Sequence, residues 1–460
     1  MRVCLLTKLA LMWVASVCMF GIHASCAQSN TFVIQDCAFD PPAAQDVMRR
    51  LAELMRTLYV FPDRGEQCAH RILERMVRGD YPLERPNELA KALESELFSI
   101  TRDRHLRISH VRGEQAEPDV PSSRRSTGKK YNHGFRKVER LVGNVGYLEM
   151  TGFHEPQSAA ETALAAMTFL QNSEAIILDL SSNGGGSAEM VKLMASWLLP
   201  PKTALSGIYW RASGQVEQAW TEAWLGGARR LLEVPVFVIT SDYTFSAAEA
   251  LAYDLQTAGR ATIIGTRTGG GAHPGEEFSL GSGFHVWMPL GRAIHPKTAS
   301  NWEGRGVTPD QPHSSIGVKA AAHALALQQI ADGLEPSGHR DQILELQEWA
   351  DSLGTPTKLP EGVLARLVGK FGSVSIIDVD GSLFYAPGGR APSRLGLLSD
   401  VTFCVEGQPG TRLVFEGMHA TAKPATGILC IESSGVQKRF LRQELGSRHR
   451  RQGAKGPFDS

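Results

Sequence analysis

From Val142 to Gly265 the chain alternates short β-rich apolar runs with segments of helical periodicity, and this constrains the fold more than any other feature. The runs "VGYLEM", "EAIILDL", "VPVFVIT" and "RATIIG" are separated by "SAAETALAAMTFLQN", "SAEMVKLMASWLL" and "SAAEALAYDLQTAG". Strands interleaved with helices of this length predict an α/β layer with a substantially parallel sheet. "FHVWMPLGRAIHP" adds a strand and a turn, and "IGVKAAAHALALQQIADG" a further helix. Different patterns flank this core. Residues 40–110 repeat apolar positions at three and four, as in "AAQDVMRRLAELMRTLYVF", and predict a helical N-terminal domain. Residues 112–137 are polar and rich in turn formers, which predicts a connection. Residues 360–442 read as short strands joined by DG, GG and PG turns, the mark of a small antiparallel β domain. The expected fold class is α/β, with a mixed core over 140–335.

The 460 residues suffice for two or three domains, and 42% hydrophobic with 21% charged residues is an ordinary globular balance. With 48 basic and 48 acidic side chains the formal net charge is zero, so no global field steers the chain to nucleic acid. The basic end, 443–460, reads as a solvated tail. At the other end a basic start, an apolar run from Leu9 to Ile22 and the small residues Ser25-Cys26-Ala27 read as a secretory signal over 1–27. The apolar run is short of the roughly 20 residues that span a bilayer. Membrane attachment is expected only through lipidation at Cys26. Otherwise the expected setting is the periplasm. Of seven cysteines, four lie beyond the signal. They allow two sequence-local disulfides, Cys37 with Cys68 and Cys404 with Cys430, or four free thiols. No CxxC, HExxH or clustered His/Cys pattern occurs, and neither a metal nor a cofactor is expected.

Ligands of open α/β sheets sit outside the carboxyl ends of the strands. Two strand-to-helix crossings there carry unusual residues. After "VFVIT", Ser246-Ala-Ala-Glu249 reads as a capping box, and equally as a hydroxyl set beside unpaired helix-start amides. After "AIILDL", Gly184-Gly185-Gly186 removes every Cβ from the turn, so that backbone amides can approach a substrate oxygen. If the two crossings are neighbours, the Gly185 and Ala247 amides converge as an oxyanion hole. A serine nucleophile needs a base, oriented in turn by a third group. His105, His154, His273 and His295 are the candidate bases, and Glu303 in "NWEGRG" suits an orienting carboxylate. The residues alone leave the base open.

The segments "LYVFPD", "DRHL", "LDLSSNGGGSAEMV", "TSDYTFSAAEALAYDLQTAGRATIIGTRTGGGAHPG" and "FHVWMPLGRAIHPKTASNWEGRGVTPD" together resemble the tail-specific (C-terminal processing) serine peptidase family. The nearest branch is that of interphotoreceptor retinoid-binding protein and the tricorn core. The resemblance spans roughly residues 45–330 and implies a crotonase-like core and a serine peptidase with Ser246 as nucleophile. Many members pair this serine with a lysine in a "GKG" context. Here Gly269-Gly270-Gly271 stands there, so that dyad is absent. The tricorn-like arrangement implies His105 as base, supported by Glu303, with the oxyanion between Gly185 and Ala247; His273 is the runner-up base. Ser181-Ser182 and Arg104 depart from the family pattern. The interval before the core is too short for the PDZ domain that many members carry. The expected activity is an exported endopeptidase acting on peptides or unfolded proteins. The alternative is a non-catalytic binder of apolar ligands, as in the retinoid-binding relatives.

Overall fold

A computed structural model describes residues 40–111, 128–354, 359–418 and 423–443. The expected signal, Cys26, Cys37 and the basic end after Gln443 lie outside the described residues.

Four helices open on proline, whose missing N–H costs nothing in a first turn and whose fixed φ suits a helix. They are α1 (Pro41–Thr57), α2 (Pro62–Arg78), α3 (Pro86–Thr101) and α4 (Pro156–Leu170). The first three bury Met48, Leu51, Met55, Ile72, Leu89 and Leu93 in one apolar cluster. After α3, β1 (Arg107–His110) pairs antiparallel with a distant strand, Phe284–Pro289. Phe284, Val286 and Met288 of that strand complete the helical cluster. The N-terminal helices are thereby bound to the core by a shared sheet.

The central sheet contains β2 (Phe135–Leu141), β3 (Val145–Met150), β4 (Ala175–Asp179), β7 (Val236–Thr240), β8 (Ala261–Gly265) and β12 (Gln311–Pro312). Their spatial order is β12-β8-β7-β4-β3-β2. Every neighbouring pair is parallel except the β2–β3 hairpin. Two small three-stranded sheets flank it. One joins β11 (Gly291–Ile294), β5 (Gly207–Trp210) and β6 (Gln215–Glu217), and the other joins β1, β10 (Phe284–Pro289) and β9 (Gly275–Gly281). Strands β4 and β7 are buried along their whole length, as continuous apolar runs in a two-faced sheet should be. Alternate residues serve opposite faces. Ile176, Leu178, Val236 and Val238 pack with α4, α5 (Ala188–Leu198) and α6 (Ala247–Thr257). Ala175, Ile177, Phe237 and Ile239 pack with α7 (Val318–Asp332) and α8 (Gly338–Gly354).

Beyond the short helix α9 (Glu361–Leu367), eight antiparallel strands between Gly369 and Leu441 follow in sequence order. Their ends meet: Gly372 N–H donates to Leu441 O (3.0 Å) and Gln443 N–H to Lys370 O (2.8 Å). The sheet therefore closes into a barrel, which leaves no free edge. Phe371, Phe403, Phe415 and Leu367 fill it.

Two elements depart from expectation. Helix α8 was not foreseen, because its apolar residues divide between the sheet, through Ile343 and Ala350, and the barrel, where Trp349 Nε1 donates to Val405 O (3.1 Å). Strand β2 starts inside the expected connection, its Arg136, Lys137 and Glu139 suiting an edge strand open to water. Cys68, Cys404 and Cys430 are buried free thiols, which settles Cys404 and Cys430 on the unbridged alternative. Among the described residues no helix is long and apolar enough to cross a membrane.

Candidate active site

Ser246 stands between β7 and α6 with φ 53° and ψ −121°. A positive φ at a residue with a Cβ costs on the order of 1–3 kcal/mol and persists only where the surroundings impose it. Glu249 is what imposes it. Its fully buried carboxylate accepts the Ser246 N–H (2.9 Å), the Gly270 N–H (2.6 Å), the Gly271 N–H (2.8 Å) and the Thr268 hydroxyl (2.5 Å). One side chain thus serves the helix start and clasps the 268–271 loop to it. Ala247 N–H, the first of the helix, has no partner among the described residues, as helix starts leave it.

The triglycine bend lies against this junction. A Cβ added to Gly185 would stand 2.8 Å from Ser246 Cβ and 3.0 Å from Ala247 N, and its φ of +104° already favours glycine. Gly185 N–H donates to Asn183 Oδ1 (2.9 Å), while Phe245 N–H donates to Asn183 O (3.1 Å). Phe153 clamps the bend from the other side, with its N–H on Gly185 O and its O on the Ser187 N–H, both 2.8 Å.

Of the four histidines, His105 is the one packed at this junction. Its ring lies 4.6 Å from that of Phe245, the residue before Ser246. It also fills the space beside Gly271: a Cβ there would meet His105 Cε1 at 2.5 Å. His105 Nδ1 has no hydrogen-bond partner among the described residues, and burial pushes the imidazole down to about 4, so it is neutral across the physiological range.

Behind His105 lies a buried cluster. Asp103 Oδ1 accepts the His105 backbone N–H (3.0 Å), and Oδ2 accepts from Tyr59 Oη (3.1 Å) and contacts His273 Nδ1 (2.7 Å). Burial alone would raise the Asp103 carboxyl, but its bond to His273 and the charges around it hold it below the usual carboxylate range. Glu303 Oε2 accepts the Ala272 N–H (2.5 Å) and lies 3.5 Å from His273 Nδ1. Burial pushes Glu303 up to about 7, against the pull of His273. Asp103, His273 and Glu303 place one ligand atom each within 4.8 Å of one another. His295 is remote from the serine; its Nε2 lies 3.9 Å from Asp254 in the last turns of α6. His154 follows Phe153 and faces His133, with ring centroids 5.8 Å apart.

The family model "Peptidase family S41" matches residues 144–313, and "N-terminal domain of Peptidase_S41 in eukaryotic IRBP" matches residues 42–135. The chain belongs to peptidase family S41. It is a serine-type peptidase. Among solved structures it is similar to a putative peptidase from Parabacteroides merdae ATCC 43184, with 18% identity, 64% of this chain and 99% of that chain covered, and a TM-score of 0.47. It is also similar to a photosystem II D1 C-terminal processing protease (16% identity, 59% and 94% covered, TM-score 0.40). The tricorn protease is matched at 14% identity over 66% of this chain and 37% of that one, with a TM-score of 0.41.

Within this S41 peptidase the structure therefore gathers Ser246, Ala247, Gly185 and His105 around Phe245. It sets Glu303 and His273 in the layer behind. Sequence reasoning missed Asp103, which ties the two layers together. Its signal was present: an acidic residue two before His105, able to accept a backbone N–H two positions on, as Asp side chains in turns do. It also missed Asn183, whose side chain holds the Gly185 amide by the same i to i+2 pattern.

Proposed function

We propose that this S41 peptidase is an exported endopeptidase that hydrolyses peptide bonds of peptides or unfolded proteins. Ser246 is its nucleophile and His105 its general base. The observation carrying this reading is the strained Ser246 backbone against the Cβ-free Gly185, an arrangement that exposes a hydroxyl beside the unpaired Ala247 N–H. Ser246 Oγ attacks the peptide carbonyl carbon as its proton passes to His105. The developing oxyanion meets the Ala247 N–H and the Gly185 N–H, the latter leaving or sharing Asn183 Oδ1. His105 then protonates the leaving amine, and water hydrolyses the acyl-enzyme by the reverse proton path. A neutral imidazole is what such a base requires. The packing at Gly271 supports this choice of base. The imidazole occupies the space in which a side chain at 271 would begin, at the end of the glycine stretch that stands where the family carries its lysine. Glu303 supports the arrangement through the Ala272 N–H and His273. Access to the periplasm or medium follows from the signal-like N-terminus.

A fluorophosphonate probe tests the nucleophile. The secreted, folded protein is expected to be labelled, and Ser246→Ala to lose both labelling and at least about 1,000-fold of its turnover on a peptide library. Unlabelled protein of native far-UV spectrum would turn the reading toward a ligand binder. For the base, His105→Ala is expected to lose turnover far more than His273→Ala; the reverse ranking would transfer the role to His273.

A further inference from the structure

Two imidazoles away from the acyl-transfer groups converge on one point. His133 lies on a left-handed turn (φ 53°), with 8% of its surface exposed and its Nδ1 buried without a hydrogen-bond partner among the described residues. The turn is pressed onto the loop after β3 that carries His154. Thr151 N–H donates to Gly134 O (2.8 Å), and a Cβ on Gly134 would meet Gly152 O at 2.3 Å. The position a Cβ on Gly128 would take lies 3.1 Å from His133 Nδ1 and also 3.1 Å from His154 Nδ1. Among the described residues, two ring nitrogens thus close on the one place where a side chain at 128 would begin. A buried imidazole nitrogen left unpaired forfeits its hydration with nothing in return, so its retention asks for an occupant.

We propose that His133 and His154 form a binding site for a borderline divalent transition metal of the zinc class, held by the two Nδ1 atoms beside Gly128. Neutral imidazole is the favoured ligand for such ions. Bound zinc sits about 2.0–2.1 Å from each nitrogen. Rotation of the half-buried His154 side chain adjusts its nitrogen to that geometry, and water completes the coordination. The Asp103–His273–Glu303 cluster is the weaker competitor, because His273 Nδ1 is already committed to Asp103 at 2.7 Å. Phe153, next to His154, clamps the triglycine bend, so an ion here braces that bend from outside the catalytic groups.

The test uses the tag-free full chain, titrated with zinc sulfate and separately with nickel chloride, followed by calorimetry and by Tm. The expected result is one equivalent bound, with a Tm that rises with metal concentration and returns on adding EDTA. His154→Gln should weaken binding about tenfold or more. Gly128→Ala keeps both ligands but sets a methyl between their nitrogens, and should weaken binding equally without unfolding the chain. Its φ lies outside the left-handed range, and the imidazoles need yield only a few tenths of an ångström. No binding by the parent protein, or binding unchanged in both variants, overturns the proposal. Loss confined to His273→Gln overturns it in favour of the buried cluster.

Discussion

At the residue scale, a single missing Cβ shapes the packing beside Ser246. Gly271 is flanked by the Phe245 ring, whose Cζ would lie 2.2 Å from an added Cβ, and by His105 Cε1 at 2.5 Å. Both rings belong to the neighbourhood of Ser246, so any side chain at 271 displaces the proposed base. Gly271→Ala is therefore expected to lower kcat by about tenfold or more, at a stability cost of about 1–3 kcal/mol from overpacking. Gly271→Lys, which puts an amine into the space His105 fills, should be inactive because amine and imidazole compete for it. Peptide turnover and urea unfolding of both variants check this, and an active Gly271→Lys would refute the competition. Glu249 explains the double character of the Ser246 motif. The carboxylate satisfies the serine N–H as a cap does, while fixing the backbone strain that presents the hydroxyl.

Helix α6 matters as an element because both of its ends are anchored by buried carboxyls. Glu249 holds the first turn; Asp254, fully buried, accepts the Ser206 hydroxyl (2.6 Å) and backbone N–H (3.1 Å) near the last. Burial pushes Asp254 from 3.8 up to about 7. A carboxyl raised by folding binds more protons in the native state. Its stabilising contribution is present below its unfolded value and is lost as pH rises through about 7. Asp254→Asn keeps a neutral acceptor for Ser206 and removes that loss. Its stability relative to the parent should therefore climb between about pH 4 and pH 8. Urea midpoints at several pH values give the comparison, and a constant gap would show that Asp254 is ionised throughout.

For the whole molecule, the barrel closes on a side chain supplied after its last strand. Arg442 Nε donates to Ala425 O (2.6 Å), and Nη2 donates to Arg366 O (2.7 Å) and Val368 O (3.0 Å), while the guanidinium lies 4.8 Å over the Phe371 ring. Arg442→Ala leaves several carbonyls without a donor at the seam. It should destabilise the protein by about 1–3 kcal/mol. The site is built from other segments, so kcat of the folded fraction should stay within about twofold, there being no shared partner to couple them. Chemical denaturation and active-site titration separate the two quantities. Loss of kcat in a fully folded variant would instead mean that the barrel acts on the site.

The sequence by itself determined the order of strands and helices, the serine at a strand–helix junction and the triglycine bend after the neighbouring strand. Those are local matters: periodicity, glycine and capping chemistry express themselves within a few residues. Strand β2 and helix α8 escaped because their patterns are divided, one by an exposed edge and the other between two partners. Which of the four histidines packs against the serine junction was decided by the tertiary structure. Asp103, His105, Gly271, His273 and Glu303 are brought together from three separate loops, and no spacing along the chain encodes which imidazole is left unpaired beside the serine. That selection is made by packing. His105 fits where Gly271 has no side chain, whereas His273 is consumed by Asp103.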